Sequence, residues 1–167
     1  MQTLRRVWEH LEEGFIAFLL AAMTLTGCSS LSSDMSKLDL SLSGSDTLNP
    51  DLNGRPSPIV IRLIELKHPV AFQNADFFSL YERPREALSP DLVASEEIEL
   101  RPGEKRDLKL SVQNDSRYVG VLAAYRDLPE TQWRYVIEVP AKQITRADLS
   151  LDAEGIHSAA PEKKAKD

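Results

Sequence analysis

The sequence predicts a mainly β protein, a two-sheet β-sandwich with a short helical insertion, and three observations carry that reading. Apolar and polar residues alternate with period two in several short runs, Pro- and Gly-containing turns separate those runs, and helical spacing is confined to residues 74–88. About seven short strands with so little helix between them are best packed as two sheets around one core.

The first strand is marked by Leu38, Leu40 and Leu42, which alternate with Asp39, Ser41 and Ser43. Gly44 to Pro58 follows, with Pro50, Pro56 and Pro58 and a second glycine, Gly54, so no ladder can run through it. Ile59 to Leu66 (IVIRLIEL) is apolar on one face and on most of the other, as a strand in the middle of a sheet must be. Pro69 ends it. Residues 74–81 (NADFFSLY) then change period, with Asn74 as the expected N-cap and Phe77, Leu80 and Tyr81 at helical spacing. Pro84 stops that helix, and Arg85 to Leu88 can add one more turn.

Beyond the helices, Ile98 and Leu100 alternate with Glu97 and Glu99, and Leu108, Leu110 and Val112 alternate with Asp107, Lys109 and Ser111. Between these runs Arg101-Pro102-Gly103-Glu104 has the residues of a type II turn, so the pair is predicted to form a hairpin. Tyr118 to Tyr125 (YVGVLAAY) reads as a second central strand, with Gly120 leaving room for a large neighbour. Trp133, Tyr135, Ile137 and Val139 share one side of the next strand, with Trp133 expected in the core; the last strand covers Leu149 to Leu151, or begins as early as Ile144. After Gly155 the chain becomes small and charged, and a disordered tail is expected over 155–167.

Near the N-terminus, Gly14 to Leu25 has the apolarity and length of a signal-peptide core and falls short of the roughly 20 apolar residues that a spanning helix needs. It runs into Leu25-Thr26-Gly27-Cys28, which resembles the bacterial lipobox. That resemblance implies cleavage before Cys28 and acylation of its thiol and freed amine. An ordinary secreted protein or a signal anchor with a free thiol is the alternative. Against it stands the position of Cys28, the chain's one cysteine, where lipidation requires it. Arg5 and Arg6 are offset by Glu9, Glu12 and Glu13, which leaves the segment before the apolar core without the usual positive charge. The expected organisation is a removed signal peptide over 1–27, a lipidated N-terminus and flexible tether over 28–37, a sandwich domain over 38–154 and the tail. Nine tether residues, Ser29 to Lys37, span about 15–18 Å as a coil, so the domain is expected close to the membrane. Ser29, after the cysteine, resembles the sorting pattern for export to the outer membrane.

The formal net charge is −6, and residues 1–27 contribute two Arg and three Glu, so the remainder carries −5. Such a chain is a poor nucleic-acid binder, and the lipid rather than a general positive charge has to attach it to a membrane. No constellation for chemistry emerges. His68 stands alone at a strand end, His157 falls in the expected tail, no GxSxG elbow is present, and Glu96, Glu97 and Glu99 have no His or Cys to complete a metal site. Gly54 and Gly103 are not part of a phosphate-cradling loop. No enzyme, cofactor or metal is expected. The long Pro-rich loop remains, and such loops are uncommon in small domains unless they have a role.

At the level of longer motifs, Asn49-Pro50 and Asn53-Gly54-Arg55-Pro56-Ser57-Pro58 leading into IVIRL, then ADFFSLY over 75–81, resemble the TssJ outer-membrane lipoprotein family of the type VI secretion system. LRPGE over 100–104, YVGVLAAYRD over 118–127 and Trp133-Arg134 resemble it in the same order, so the likeness covers about residues 25 to 140. It implies a transthyretin-like sandwich without catalytic activity, tied to the outer membrane through Cys28, that binds the periplasmic C-terminal region of the inner-membrane protein TssM. It associates that contact with the loop between the first two strands. Asn49, Pro50, Asp51, Asn53, Gly54, Arg55 and Pro56 are its expected partner-binding residues here. A periplasmic sandwich lipoprotein that binds a small ligand or inhibits an envelope enzyme is the alternative. A transthyretin-like hydrolase would need several active-site His and Arg, and a single His68 does not supply them.

Overall fold

The computed structural model describes residues 35–159; the expected signal peptide, Cys28, most of the expected tether and the end of the expected tail lie outside the described residues. Among the described residues, eight strands form two four-stranded sheets. Sheet A has the order β4-β1-β7-β8 and comprises β1 (Ser36–Gly44), β4 (Lys105–Val112), β7 (Ile144–Leu151) and β8 (Ile156–Ser158). Sheet B has the order β3-β2-β5-β6, from β2 (Ile59–Leu66), β3 (Leu92–Leu100), β5 (Tyr118–Ala123) and β6 (Arg134–Glu138). All pairings are antiparallel except β1 with β7. The predicted two-sheet sandwich is therefore the fold.

The inward residues of both sheets meet in one core. Leu38, Leu40 and Leu42 of β1 face Ile59, Ile61 and Leu63 of β2 and Val119 and Val121 of β5, all almost wholly buried. Strands β2 and β5 are central in sheet B, which is why their sequences are apolar on both faces. Their outward residues Ile64, Leu66 and Leu122 form a second apolar cluster with the helical insertion. That insertion is three short helices, α1 (Val70–Asn74), α2 (Phe77–Glu82) and α3 (Pro84–Ala87). Phe72 of α1 lies on the backbone of Gly120, where a Cβ would come within 2.9 Å of its ring, so the glycine makes room for a helix on the outer face.

Five sequence expectations are corrected. Asp76, not Asn74, caps α2: its carboxylate accepts the Ser79 amide at 3.0 Å and the Ser79 hydroxyl at 2.6 Å, while Asn74 ends α1. Two Asx residues two positions apart both precede an apolar run, and the one next to Phe77 wins. Strands β3 and β4 do not form a hairpin. The turn itself is present, with the Glu104 amide bonded to the Arg101 carbonyl at 3.0 Å and Gly103 at φ 73°, but it carries the chain from sheet B to sheet A. A type II turn splays its strands, and alternation shows which face is buried, not which strand is the neighbour. The chain after Gly155 is not all tail: β8 pairs with β7, and Ile156 is fully buried. Trp133 is half-buried rather than buried, at the seam between the two clusters, edge-on to Phe77 at 5.3 Å and under the Arg134 guanidinium at 4.3 Å. The first strand also starts two residues earlier than predicted, at Ser36.

Candidate partner-binding end of the sandwich

Topology sorts the loops onto two ends. Residue 35 and the starts of β1, β5 and β7 lie at one end; the β1–β2 loop, the β3–β4 turn, the β5–β6 loop and the β7–β8 turn lie at the other. Nine residues of β1 separate the two, about 27 Å of extended chain. The loop that the sequence singled out is thus at the end remote from the N-terminal side of the described chain.

That loop is held in shape from within. Leu48 is fully buried and closes the end of the core. Asn49, at φ 46° and 3 % exposed, donates its side-chain amide to the Pro58 carbonyl at 3.0 Å and accepts the Arg126 amide on its side-chain oxygen at 3.0 Å. Asp51 organises the tip: one carboxylate oxygen accepts the amides of Asn53 at 2.8 Å and Arg55 at 2.9 Å, the other the guanidinium of Arg55 at 2.9 Å. The Arg55 amide first, then the Asn53 amide and the Arg55 side chain, hold the Asp51 carboxyl below the usual range. Gly54, at φ 76° with open space around it, takes the one position in the tip that favours glycine.

The seven residues expected to contact a partner therefore divide. Asn49 is a buried brace, and its polar atoms are engaged within the protein; Asp51 faces its own loop; Pro50 is half-buried; Asn53, Gly54, Arg55 and Pro56 are exposed. Arg55 presents its outer edge to solvent while its Nε and one terminal nitrogen hold Asp51. The sequence reasoning passed over Leu52. It stands fully in solvent at the tip, the most exposed of the large apolar residues described here. A leucine in a loop has no periodic context, so the signal available was its place between residues that are otherwise all polar or turn-forming.

Beside the tip runs an open cleft of about 540 Å³, lined by Asn49, Leu52, Tyr125, Arg126, Glu130 and Ala153 among others. Tyr125 is 4 % exposed, and its buried hydroxyl has no hydrogen-bond partner among the described residues. Burial, reinforced by the charge of Asp152, pushes this phenol well above its ordinary range. At the same end, Asp152, Glu154 and His157 bring one ligating atom each within 4.8 Å of one another, a grouping not expected while His157 was placed in the tail. Asp152 Oδ1 already accepts the amides of Glu154 and Gly155 and contacts His157 Nε2 at 3.3 Å, which accounts for the cluster as the lock of the β7–β8 turn. His68 contacts Asp91 Oδ1 at 2.9 Å and ties the two ends of the helical insertion together.

No curated protein matches the chain in sequence. Among solved structures, the type VI secretion lipoprotein TssJ1 of Pseudomonas aeruginosa is 36% identical, with a TM-score of 0.73 over 75% of this chain and 96% of that one. Serratia marcescens Lip, a membrane-bound component of the type VI secretion system, is 26% identical with a TM-score of 0.70 over 75% and 98%. A chain of a type VI membrane complex has the same fold at 21% identity, with a TM-score of 0.66 over 75% and 99%. The model of the type VI secretion lipoprotein family, described by the names VasD, EvfM and TssJ, matches residues 36–154, the whole sandwich up to the β7–β8 turn. With that match and the TssJ1 likeness, this chain belongs to the TssJ family of type VI secretion lipoproteins.

Proposed function

We propose that the protein is the outer-membrane lipoprotein of a type VI secretion membrane complex. Acyl chains on Cys28 hold it to the periplasmic face of the outer membrane, and the β1–β2 loop binds the periplasmic C-terminal region of the inner-membrane protein TssM. Its task is mechanical rather than catalytic: one end is fixed to a bilayer, the other to a protein anchored in the opposite membrane. The observation that carries this reading is the separation of the ends. Residue 35 and the ordered loop tip lie at opposite ends of β1, so a domain tethered by its N-terminus presents the loop away from its own membrane.

Order in the loop supports the same reading. A tip already fixed by Asp51 and Asn49 has less freedom to lose on binding, at about 0.5–1.5 kcal/mol for each rotamer-rich side chain that a partner would otherwise have to immobilise. Two experiments test the proposal at its two ends. Cys28→Ala is expected to leave a folded domain that no longer fractionates with the outer membrane; retention there would refute the anchor. Replacing Asp51 to Arg55 by a Gly-Ser segment of equal length is expected to leave melting of the sandwich nearly unchanged while weakening binding to the periplasmic region of TssM. Full affinity in that variant would remove the loop from the contact.

A further inference from the structure

The outward face of sheet B is covered by the helical insertion, whereas nothing among the described residues covers the outward face of sheet A. Alternation places Met35, Lys37 and Asp39 of the first strand region, Ile144 and Arg146 of β7, and Lys109 and Ser111 of β4 together on the half of that face nearest residue 35. Met35, 41 % exposed, and Ile144, 62 % exposed, are two of the five large apolar residues in solvent among the described residues. Lys37, Lys109 and Arg146 surround the single carboxylate of Asp39, which gives this half a formal charge of +2 on a chain of −6. The other half of the face carries Lys105, Asp107 and Asp148, for a sum of −1.

We propose that this half-face rests on an anionic phospholipid surface and sets the tilt of the domain on the membrane. Met35 and Ile144 enter the headgroup layer, and Lys37, Lys109 and Arg146 interact with lipid phosphates. The inference rests on the anchoring of Cys28. Seven residues, 28–34, connect that cysteine to Met35 at the rim of this face, and at about 3.3–3.6 Å per residue the chain's full reach between them is no more than about 25 Å. Lys109 and Arg146 are level with Asp39, about 7 Å along the strands from Lys37 and Ile144 and about 13 Å from Met35, so they come within a Debye length of about 8 Å of the headgroups when the sheet face itself lies against them. The net negative charge of the whole chain excludes electrostatic attachment but not electrostatic orientation: the acyl chains hold the protein, and the uneven charge turns the basic end down. The β1–β2 loop, at the far end of β1, is then kept off the bilayer at a fixed height.

The test uses the protein recovered from membranes and reconstituted in vesicles containing nitroxide-labelled lipid. With Cys28 acylated, Ile144→Cys or Leu52→Cys supplies the one free thiol for a fluorophore. On vesicles containing phosphatidylglycerol, the label at 144 is expected to be quenched about fivefold or more over the label at 52. A basic residue near an anionic surface is worth about a fivefold factor, so adding Lys37→Glu and Arg146→Glu should bring the two labels to near equality while thermal melting stays unchanged. Equal quenching at both positions in the otherwise native protein would overturn the orientation while leaving the anchor intact. Recovery in the soluble fraction instead of the membrane would overturn the anchoring reading, and this proposal with it.

Discussion

The side-chain oxygen of Asn49 accepts the backbone amide of Arg126 at 3.0 Å, joining two loops that are 77 residues apart in sequence. Its amide nitrogen meanwhile donates to Pro58, so one buried side chain closes the β1–β2 loop on itself and fixes it to the β5–β6 loop. Asn49→Ala leaves the Arg126 amide and the Pro58 carbonyl without their partner, and is expected to cost about 2 kcal/mol of stability. Asn49→Gly, which tolerates φ 46°, should cost less than the alanine variant, because alanine adds backbone strain to the lost bonds. Denaturant unfolding of both variants measures the difference. Equal losses would show that the backbone conformation contributes nothing.

A second prediction concerns Phe72 and Gly120. An added Cβ at 120 meets the ring at 2.9–3.0 Å on three of its atoms, and the ring is fully buried, so it has nowhere to turn. Gly120→Ala is expected to destabilise the domain by about 1–3 kcal/mol. Combined with Phe72→Leu, which shortens the side chain, the same substitution should cost measurably less than the sum of the two single changes. Additive losses would place the strain elsewhere.

Much of this architecture could be read in the chain because burial on one or both faces leaves a periodic trace. Leu38-Leu40-Leu42 and IVIRLIEL indicate a half-buried strand and a strand buried on both faces, and the structure has both. What could not be read has physical causes. Which sheet a strand joins is decided by contacts far off in sequence, so β3 and β4, joined by a well-formed turn, were paired with each other when they belong to different sheets. Strand β8 is three residues long with one buried side chain, too short to show a period. At the loop, residue types suggested contacts for Asn49 and Arg55, but a polar side chain reads the same whether it faces a partner or its own backbone. Asn49 does the second, and Leu52, which carries the exposed apolar surface, gave no pattern at all.

The acid response of the tip follows from Asp51. Hydrogen bonds from the Arg55 and Asn53 amides and the Arg55 side chain favour its charged form and lower its pKa from the ordinary 3.8. A depressed folded value means that the stabilisation is fully present above 3.8 and disappears as pH falls through the lowered value, so the tip should loosen only in acid below that point. Amide signals of Asn53 and Arg55 followed by NMR are expected to shift together with a midpoint below 3.8, and Asp51→Asn should abolish the transition. A midpoint at or above 3.8 would mean that the carboxylate gains nothing from its position.

Leu52 gives the sharpest separation of folding from binding. Its side chain makes no contribution to the core, since it stands wholly in solvent at the tip, so Leu52→Ala should change stability by no more than about 0.5 kcal/mol. If the proposed contact with the periplasmic region of TssM buries this side chain, the transfer from water is worth about 1.5–3 kcal/mol, and the alanine variant should bind roughly ten- to a hundredfold more weakly. Arg55→Ala behaves differently in the same assay. It removes two bonds to Asp51 as well as any partner contact, so its loss combines a loosened tip with a missing donor. Comparing the two by calorimetry at neutral pH, with melting measured in parallel, distinguishes an apolar anchor from a polar one. Unchanged affinity in Leu52→Ala would assign the exposed leucine no part in binding and shift the contact to the Arg55 side of the tip.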